Sequence, residues 1–202
     1  EQVREGLQSA LDAYGKEYRI NEGDGAFYGP KIDLHIKDAL GRTWQCGTIQ
    51  LDMSLPERFD LYYVDKDNEK HRPIMLHRTV FGSIERFLGI LIEHFAGKFP
   101  LWMAPVQVIL LPINDDLVAY ADEIGRTLQG AGLRCEVDSR AESLNKKIRE
   151  AQLGYIPLIL TIGNKEKASG TLSVRTLDGI VKQGISHDVF MNTVTAAIRE
   201  RR

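Results

Sequence analysis

Residues 31–51 read KIDLHIKDALGRTWQCGTIQL (Lys31–Leu51). Two strand-like segments, Lys31–Lys37 and Thr43–Leu51, flank Asp38-Ala-Leu-Gly41, whose composition is that of a turn. A connection this short makes the strands antiparallel neighbours. Toward the C-terminus, Phe59–Val64 and Pro73–His77 read as another antiparallel pair around the turn Asp65-Lys-Asp-Asn68. Toward the N-terminus, the glycine-rich Asn21–Pro30 is a loop. A strand is expected at about 17–21, and apolar residues at 3, 7, 10, 11 and 14 predict a helix before it. From Ser83 to Phe95, apolar residues at 84, 87, 88, 91, 92 and 95 predict a long helix with a broad buried stripe. Glycine inside a helix costs about 1 kcal/mol against alanine, so Gly89 is expected to pack closely on a neighbouring sheet.

The pattern changes at Pro100-Leu-Trp-Met-Ala-Pro105. Beyond it, Val106–Leu111, Arg134–Asp138 and Pro157–Ile162 read as strands, the first and last apolar throughout. Asp115–Gln129 and Ser143–Leu153 read as helices between them, with Asn114 or Asp115 as N-cap of the first. A hairpin is predicted over 165–183, and Ser186 is expected to cap a last helix ending near Arg199. Alternation of this kind predicts a mainly parallel sheet covered on both faces. The fold class is therefore α+β followed by α/β, with domains at 1–104 and 105–202.

The 202 residues carry 26 basic and 28 acidic side chains, a net charge of -2. Residues 1–104 hold 13 basic and 16 acidic residues, and 105–202 hold 13 and 12. A strongly basic protein that coats nucleic acid is excluded; a local basic patch is not. No apolar run approaches the roughly 18 residues of a membrane span, so no membrane partner is expected. Cys46 and Cys135 are far apart and form no CxxC pair. That spacing argues against a disulfide framework or a self-contained cysteine zinc site, and for the reducing cytoplasm. The chain opens at Glu1 inside a helical pattern and is expected to be part of something longer.

Several residues are candidates for chemistry. Arg86 lies in the first turn of the 83–95 helix, where a cation opposes the macrodipole. It needs an anion: phosphate is one choice, and an ion pair with Glu85 or Glu93 is the other. Lys31 and Asp33 share a strand face beside Tyr28, either as part of a site or as a surface pair. Gln45 and Thr48 cannot share a face of an ideal strand, but a bulge at Gly47 would re-aim them. With Gln50 they would form a polar pocket wall. His77 alone cannot hold zinc, which takes about four ligands.

Together, GAFYGPKID, TWQCGTIQLD, RFDLYYVD and MLHRTVFGSIERFLGILIEHFAGKFPLWMAPVQV resemble the bacterial-type threonyl-tRNA synthetase family, and DSRAESLNKKIREAQLGYIPLILTIGNKE continues the likeness. GSIERFLG is similar to motif 3 of class II synthetases. The resemblance implies the C-terminal part of a class II catalytic domain, an incomplete antiparallel sheet with flanking helices. A three-layer α/β anticodon-binding domain with a mainly parallel sheet would follow. It implies a threonine–tRNA ligase that activates L-threonine with ATP and Mg²⁺ and charges threonine tRNA, as a cytoplasmic homodimer.

Residue by residue, the resemblance implies that Arg86 binds the ATP γ-phosphate. Lys31 joins it as a catalytic residue, and Tyr28, Gln45, Thr48, Gln50 and Ser83 line the pocket for ATP, threonine and the tRNA 3′ end. His77 is implied to be one of three protein ligands of a zinc ion, the cysteine and second histidine lying upstream of Glu1. Cys46 is not among them. Arg149, Glu166 and Arg175 are implied to contact the anticodon. Arg140, Lys146 and Lys147 would add phosphate contacts or form a solvated helix face. Ala141 departs from the family pattern, which has asparagine there, so one base contact is not carried over. With motifs 1 and 2 absent, the 202 residues alone are not expected to hold zinc tightly or to activate threonine; pyrophosphate exchange by them would refute this. The alternative is a non-catalytic, synthetase-like tRNA-binding module. Retention of a polar pocket speaks against it, because unpaired buried polar groups are costly.

Overall fold

The computed structural model describes residues 2–201. The chain divides into two compact units, residues 1–94 and 95–202.

In the first unit, helix α1 (Gln2–Tyr14) precedes strands β1 (Lys31–Lys37) and β2 (Thr43–Asp52). These pair antiparallel, Lys31 opposite Gln50. Asp38 makes the turn between them: its carboxylate accepts the Leu40 and Arg42 N–H groups at 3.0 and 2.8 Å, the Arg42 guanidinium, and the Trp44 indole N–H at 2.8 Å. Gly41, at φ 79°, supplies the left-handed residue the turn needs. A short helix, α2 (Ser54–Arg58), follows β2 where a connection was expected. The expected strand over 59–64 shrinks to β3 (Tyr63–Val64), which pairs with β4 (Lys70–His71) around the 65–68 turn. Strand β5 (Met75–Thr79) pairs instead with β2, so the sheet order is β1-β2-β5.

Burial by itself would raise the Asp38 carboxyl, but the surrounding donors, Trp44 and Arg42 foremost, outweigh it and lower it from 3.8 to about 2. A depressed carboxylate contributes stability that is complete above the unfolded value and is lost as pH falls through the folded one. The first unit should therefore lose stability between about pH 4 and pH 2. Asp38→Asn should flatten that part of an acid-unfolding curve; an unchanged slope would refute the assignment.

Other expectations for this unit fail. Residues 16–20 form no strand, and Tyr18 donates instead to Asp12 at 2.7 Å. Helix α3 (Ile84–Phe95) forms as predicted, but its stripe is not broadly buried. Ile84, Leu88 and Ile92 are 64%, 48% and 52% exposed, and Ile90 is its one buried residue. No atom outside α3 lies within 4 Å of where a Gly89 side chain would begin, so close packing does not explain that glycine. The period of the apolar residues is helical, but no described element covers that face.

The second unit has strands β6 (Val108–Pro112), β7 (Cys135–Val137), β8 (Leu158–Ile162), β9 (Thr171–Thr176) and β10 (Val181–Ser186). Their order is β10-β9-β8-β6-β7. The β7-β6-β8 segment is parallel, and the β9–β10 hairpin joins its edge antiparallel. Helices α4 (Val118–Gly130), α5 (Leu144–Leu153), α6 (Asn164–Ser169) and α7 (His187–Arg199) complete it. A short 3₁₀ turn, Asp115–Leu117, leads into α4 with Asn114 at its cap position, and no side-chain capping bond forms there. Ser186 does cap α7, accepting the Val189 N–H at 3.3 Å.

Strand β6 is buried throughout. Val108 and Leu110 join Ala121, Ile124, Phe190 and Val194 from α4 and α7 in one core, while Ile109 and Leu111 pack with Ala151 of α5 on the other face. Three layers result. Helix α6 replaces the start of the hairpin expected at 165: Glu166 accepts the Gly163 N–H at 3.1 Å, and Gly170, at φ 62°, ends the helix. Residues just before β6 belong with this unit, since Arg134 donates to the carbonyls of Trp102 and Ala104, each at 2.9 Å.

Candidate functional site

Antiparallel register determines which side chains share a face. Lys31, Gln50 and His77 form one row across the three strands, and Asp33, Thr48 and Thr79 form the next. Beyond them the register shifts: Leu34 opposes Gly47 and His35 opposes Gln45, leaving Cys46 as the extra residue. The expected bulge is present. It turns Gln45 back to the face of Thr48, with Gln45 Nε2 3.1 Å from Thr48 Oγ1.

Asp33 sits at the centre of this polar face. Its Oδ1 accepts from Gln45 Nε2 at 2.7 Å and Thr48 Oγ1 at 3.0 Å, and its Oδ2 pairs with Lys31 Nζ at 2.8 Å. The Lys31 and Asp33 side chains are only 17% and 13% exposed, so this is not a surface ion pair. The bond to Asp33 raises the Lys31 ammonium above its ordinary value, against burial. Tyr28 donates to Gln50 Oε1 at 2.6 Å. The polar groups are thus held in place by one another.

His77 Nε2 lies 2.9 Å from Asp52 Oδ2. Asp52 is fully buried, and its other oxygen accepts the Ser54 and Leu55 N–H groups at 2.9 and 3.0 Å, at the start of α2. Burial works against ionisation of Asp52, but these donors keep its carboxyl below the ordinary value. The Tyr28 ring stands 5.8 Å from the imidazole. Sequence reasoning passed over Asp52 as a candidate; its place two residues beyond Gln50, on the same face, was the available signal.

Two glycines bring the start of α3 to the bulge. A Cβ on Gly82, at φ 68°, would lie 2.8 Å from the Cys46 carbonyl oxygen, and one on Gly47 would lie 3.2 Å from that of Val80. An Arg86 guanidinium nitrogen lies 3.4 Å from the same Gly82 position. Ser83 donates to Glu85 at 2.8 Å and accepts the Arg86 N–H at 3.3 Å. Glu93 is paired with Arg42 at 2.8 Å. Arg86 is exposed and has no carboxylate partner among the described residues.

In the second unit, Arg149 is exposed on α5. Arg175 opposes Ile159, which packs with Ala151 of α5, so it lies on the α5 side of the sheet; it donates to the Gly179 carbonyl at 3.3 Å. Glu166 is in the first turn of α6. No hydrogen bond or ion pair joins these three among the described residues. The neighbouring cations are otherwise engaged. Arg140 bonds Asp138 and Glu150, at 2.6 and 2.7 Å, and Lys146 bonds Glu142 at 2.6 Å. Lys147 is buried, with Nζ donating to the Asp138 carbonyl at 2.9 Å. It is neither a phosphate contact nor part of a solvated face. A cleft of about 560 Å³, lined by Lys98, Tyr155 and Asp178 among others, contains none of these candidates.

Known proteins resemble both units. Residues 3–95 match the family described as tRNA synthetase class II core domain (G, H, P, S and T), and residues 107–197 match Anticodon binding domain. A threonine–tRNA ligase of Desulforapulum autotrophicum is 70% identical over 98% of the chain, and one of Clostridioides difficile is 55% identical over all of it. Over nearly its whole length the chain is similar to a segment of threonyl-tRNA synthetases. It spans about a third of those relatives' length, 31% and 32%. A crystal structure titled as the RNA binding domain of threonyl-tRNA synthetase from Cryptosporidium parvum superposes with a TM-score of 0.87 at 40% identity. It covers 96% of this chain and 50% of that one. A threonyl-tRNA synthetase structure from Aeropyrum pernix gives 0.68 at 29% identity, over 98% of this chain and 48% of that one. The fold class follows from the two matches: part of a class II core, then an anticodon-binding domain. Among the described residues, no helix is long and apolar enough to cross a membrane.

Proposed function

We propose that this chain forms one wall of the adenylation site and the anticodon-reading domain of a cytoplasmic, homodimeric threonine–tRNA ligase. The functional boundary is proposed between residues 104 and 105. The observation that carries the reading is the interlocked face of Lys31, Asp33, Gln45, Thr48 and Gln50 beside an Arg86 with no carboxylate partner. Such a face offers fixed donors and acceptors that need no reorganisation during reaction.

In the proposed reaction the threonine carboxylate attacks the α-phosphorus of Mg²⁺-bound ATP, and pyrophosphate leaves. A hydroxyl of the terminal ribose of threonine tRNA then attacks the carbonyl carbon of threonyl-adenylate, the new ester forms, and AMP leaves. Arg86 would hold the γ-phosphate, and Lys31 would face the negative charge that develops. Tyr28, Gln45, Thr48, Gln50 and Ser83 would orient threonine, ATP and the tRNA 3′ end. Arg149 and Arg175 would offer forked donors to anticodon bases, and Glu166 would accept from an exocyclic amine.

A family zinc ion would supply a Lewis acid for the amino and hydroxyl groups of threonine, rejecting valine, which lacks the hydroxyl. His77 fits as one ligand, because its Nδ1 has no hydrogen-bond partner among the described residues. No group of three or more His, Cys, Asp and Glu able to hold a metal occurs among the described residues. The remaining ligands would come from outside the segment.

The test is threonine-dependent pyrophosphate exchange by the full-length enzyme that carries this segment. Threonine should be activated far better than valine. Arg86→Ala should lower the rate about 10²–10³-fold, the usual loss when one charge-stabilising group is removed. Undiminished exchange in that variant, or activation of another amino acid in preference, would overturn the proposal.

A further inference from the structure

We infer that Asp52 is a positioning residue for His77: it fixes the imidazole as its Nε2–H tautomer and presents Nδ1 as the metal-binding lone pair. The metal half of this inference rests on the zinc reading of His77 given above.

Asp52 Oδ1 receives two backbone N–H groups, from Ser54 at 2.9 Å and Leu55 at 3.0 Å. A carboxylate surrounded by N–H donors is an acceptor only. The 2.9 Å contact from Oδ2 to His77 Nε2 therefore requires the proton to be on Nε2. In a neutral imidazole the other nitrogen then carries the lone pair. Asp52 has no side-chain exposure, and it is tied to the start of α2, so it cannot follow the ring if the ring turns. The Tyr28 ring, centred 5.8 Å from the imidazole, is itself held by Gln50. The bond to Asp52 thus orients the ring without a metal. Carboxylates that orient metal-bound histidines in this way are worth about 10–100-fold in metal affinity.

Asparagine at position 52 keeps the size but not the chemistry. If its amide NH₂ faces the two α2 backbone donors, those contacts become donor against donor; if it faces His77, Nε2 must give up its proton to accept. The experiment uses the full-length enzyme, labelled with ¹⁵N-histidine and stripped of zinc, with His77→Gln to assign the signal. At a pH where imidazole is neutral, wild type should show His77 protonated at Nε2 and unprotonated at Nδ1. Asp52→Asn should lose that single-tautomer signature and bind zinc about 10–100-fold more weakly, with circular dichroism unchanged. An Nδ1–H tautomer in wild type would overturn the inference whatever the zinc content, and needs no variant to fold. Unchanged zinc affinity in a folded Asp52→Asn would overturn the positioning role. A wild-type enzyme that shows the Nε2–H tautomer but takes up no zinc would instead overturn the zinc reading on which the metal half rests.

Discussion

Gly29→Ala should unfold or displace the loop that carries Tyr28. A Cβ at this position would lie 2.2 Å from the Leu51 carbonyl oxygen and 3.3 Å from its carbon. Both atoms are backbone, so no rotamer change can relieve the clash. The loop must lift away from β2. That motion breaks the Leu51 N–H bond to the Pro30 carbonyl, now 3.3 Å, and pulls the Tyr28 hydroxyl from Gln50. Overpacking that cannot relax, added to two lost hydrogen bonds, costs at least about 3 kcal/mol. The denaturation midpoint of the first unit should fall by a corresponding amount, and threonine activation by the intact enzyme should fall with it. A midpoint within error of wild type would show that the approach of loop to strand is looser than described.

The second large effect is expected at Leu110→Ala. Leu110 is fully buried in the middle of β6, within the core formed with α4 and α7. Parallel neighbours on both sides, at Val137 and Leu160, hold the backbone in place, so the site has little freedom to collapse. Removing a leucine side chain from such a place costs about 2–5 kcal/mol, against a total stability of about 5–15 kcal/mol for a typical domain. Thermal unfolding of the second unit should move down by more than ten degrees or so. A shift of about a degree would mean that the cavity refills, contrary to the packing described.

The sequence makes much of this legible where a local rule operates. The 31–51 hairpin follows from alternation and turn chemistry, the bulge from Gly47, and the α7 cap from Ser186. The polar wall of Gln45, Thr48 and Gln50 follows once the bulge is granted. Asp52 is less visible. An aspartate at a strand end reads as a turn residue, and only the ladder brings it beneath His77, 25 positions away. Lys147 fails for a related reason. On a helical wheel it is one of several cations, and nothing local reveals two carbonyl oxygens waiting for its ammonium. The α3 stripe marks a third limit. Ile84, Leu88 and Ile92 state what the helix is suited to bury, but a periodicity cannot say which partner covers it. The strand expected at 17–21 has the composition of a strand and lacks a neighbour to pair with. Helix α6 depends on a glutamate reaching back to a glycine N–H, which a scan for serine or threonine caps overlooks.

One feature of the second unit bears on how it comes apart. Because β6 gives alternate residues to the two faces of the sheet, neither layer of helices can detach without exposing a strand the other depends on. Loss of one interface therefore weakens the other. Chain ends and exposed loops can still open locally, but the core is expected to open as one unit, and the sheet and helix that carry Arg149 and Arg175 should hold their shape until it does.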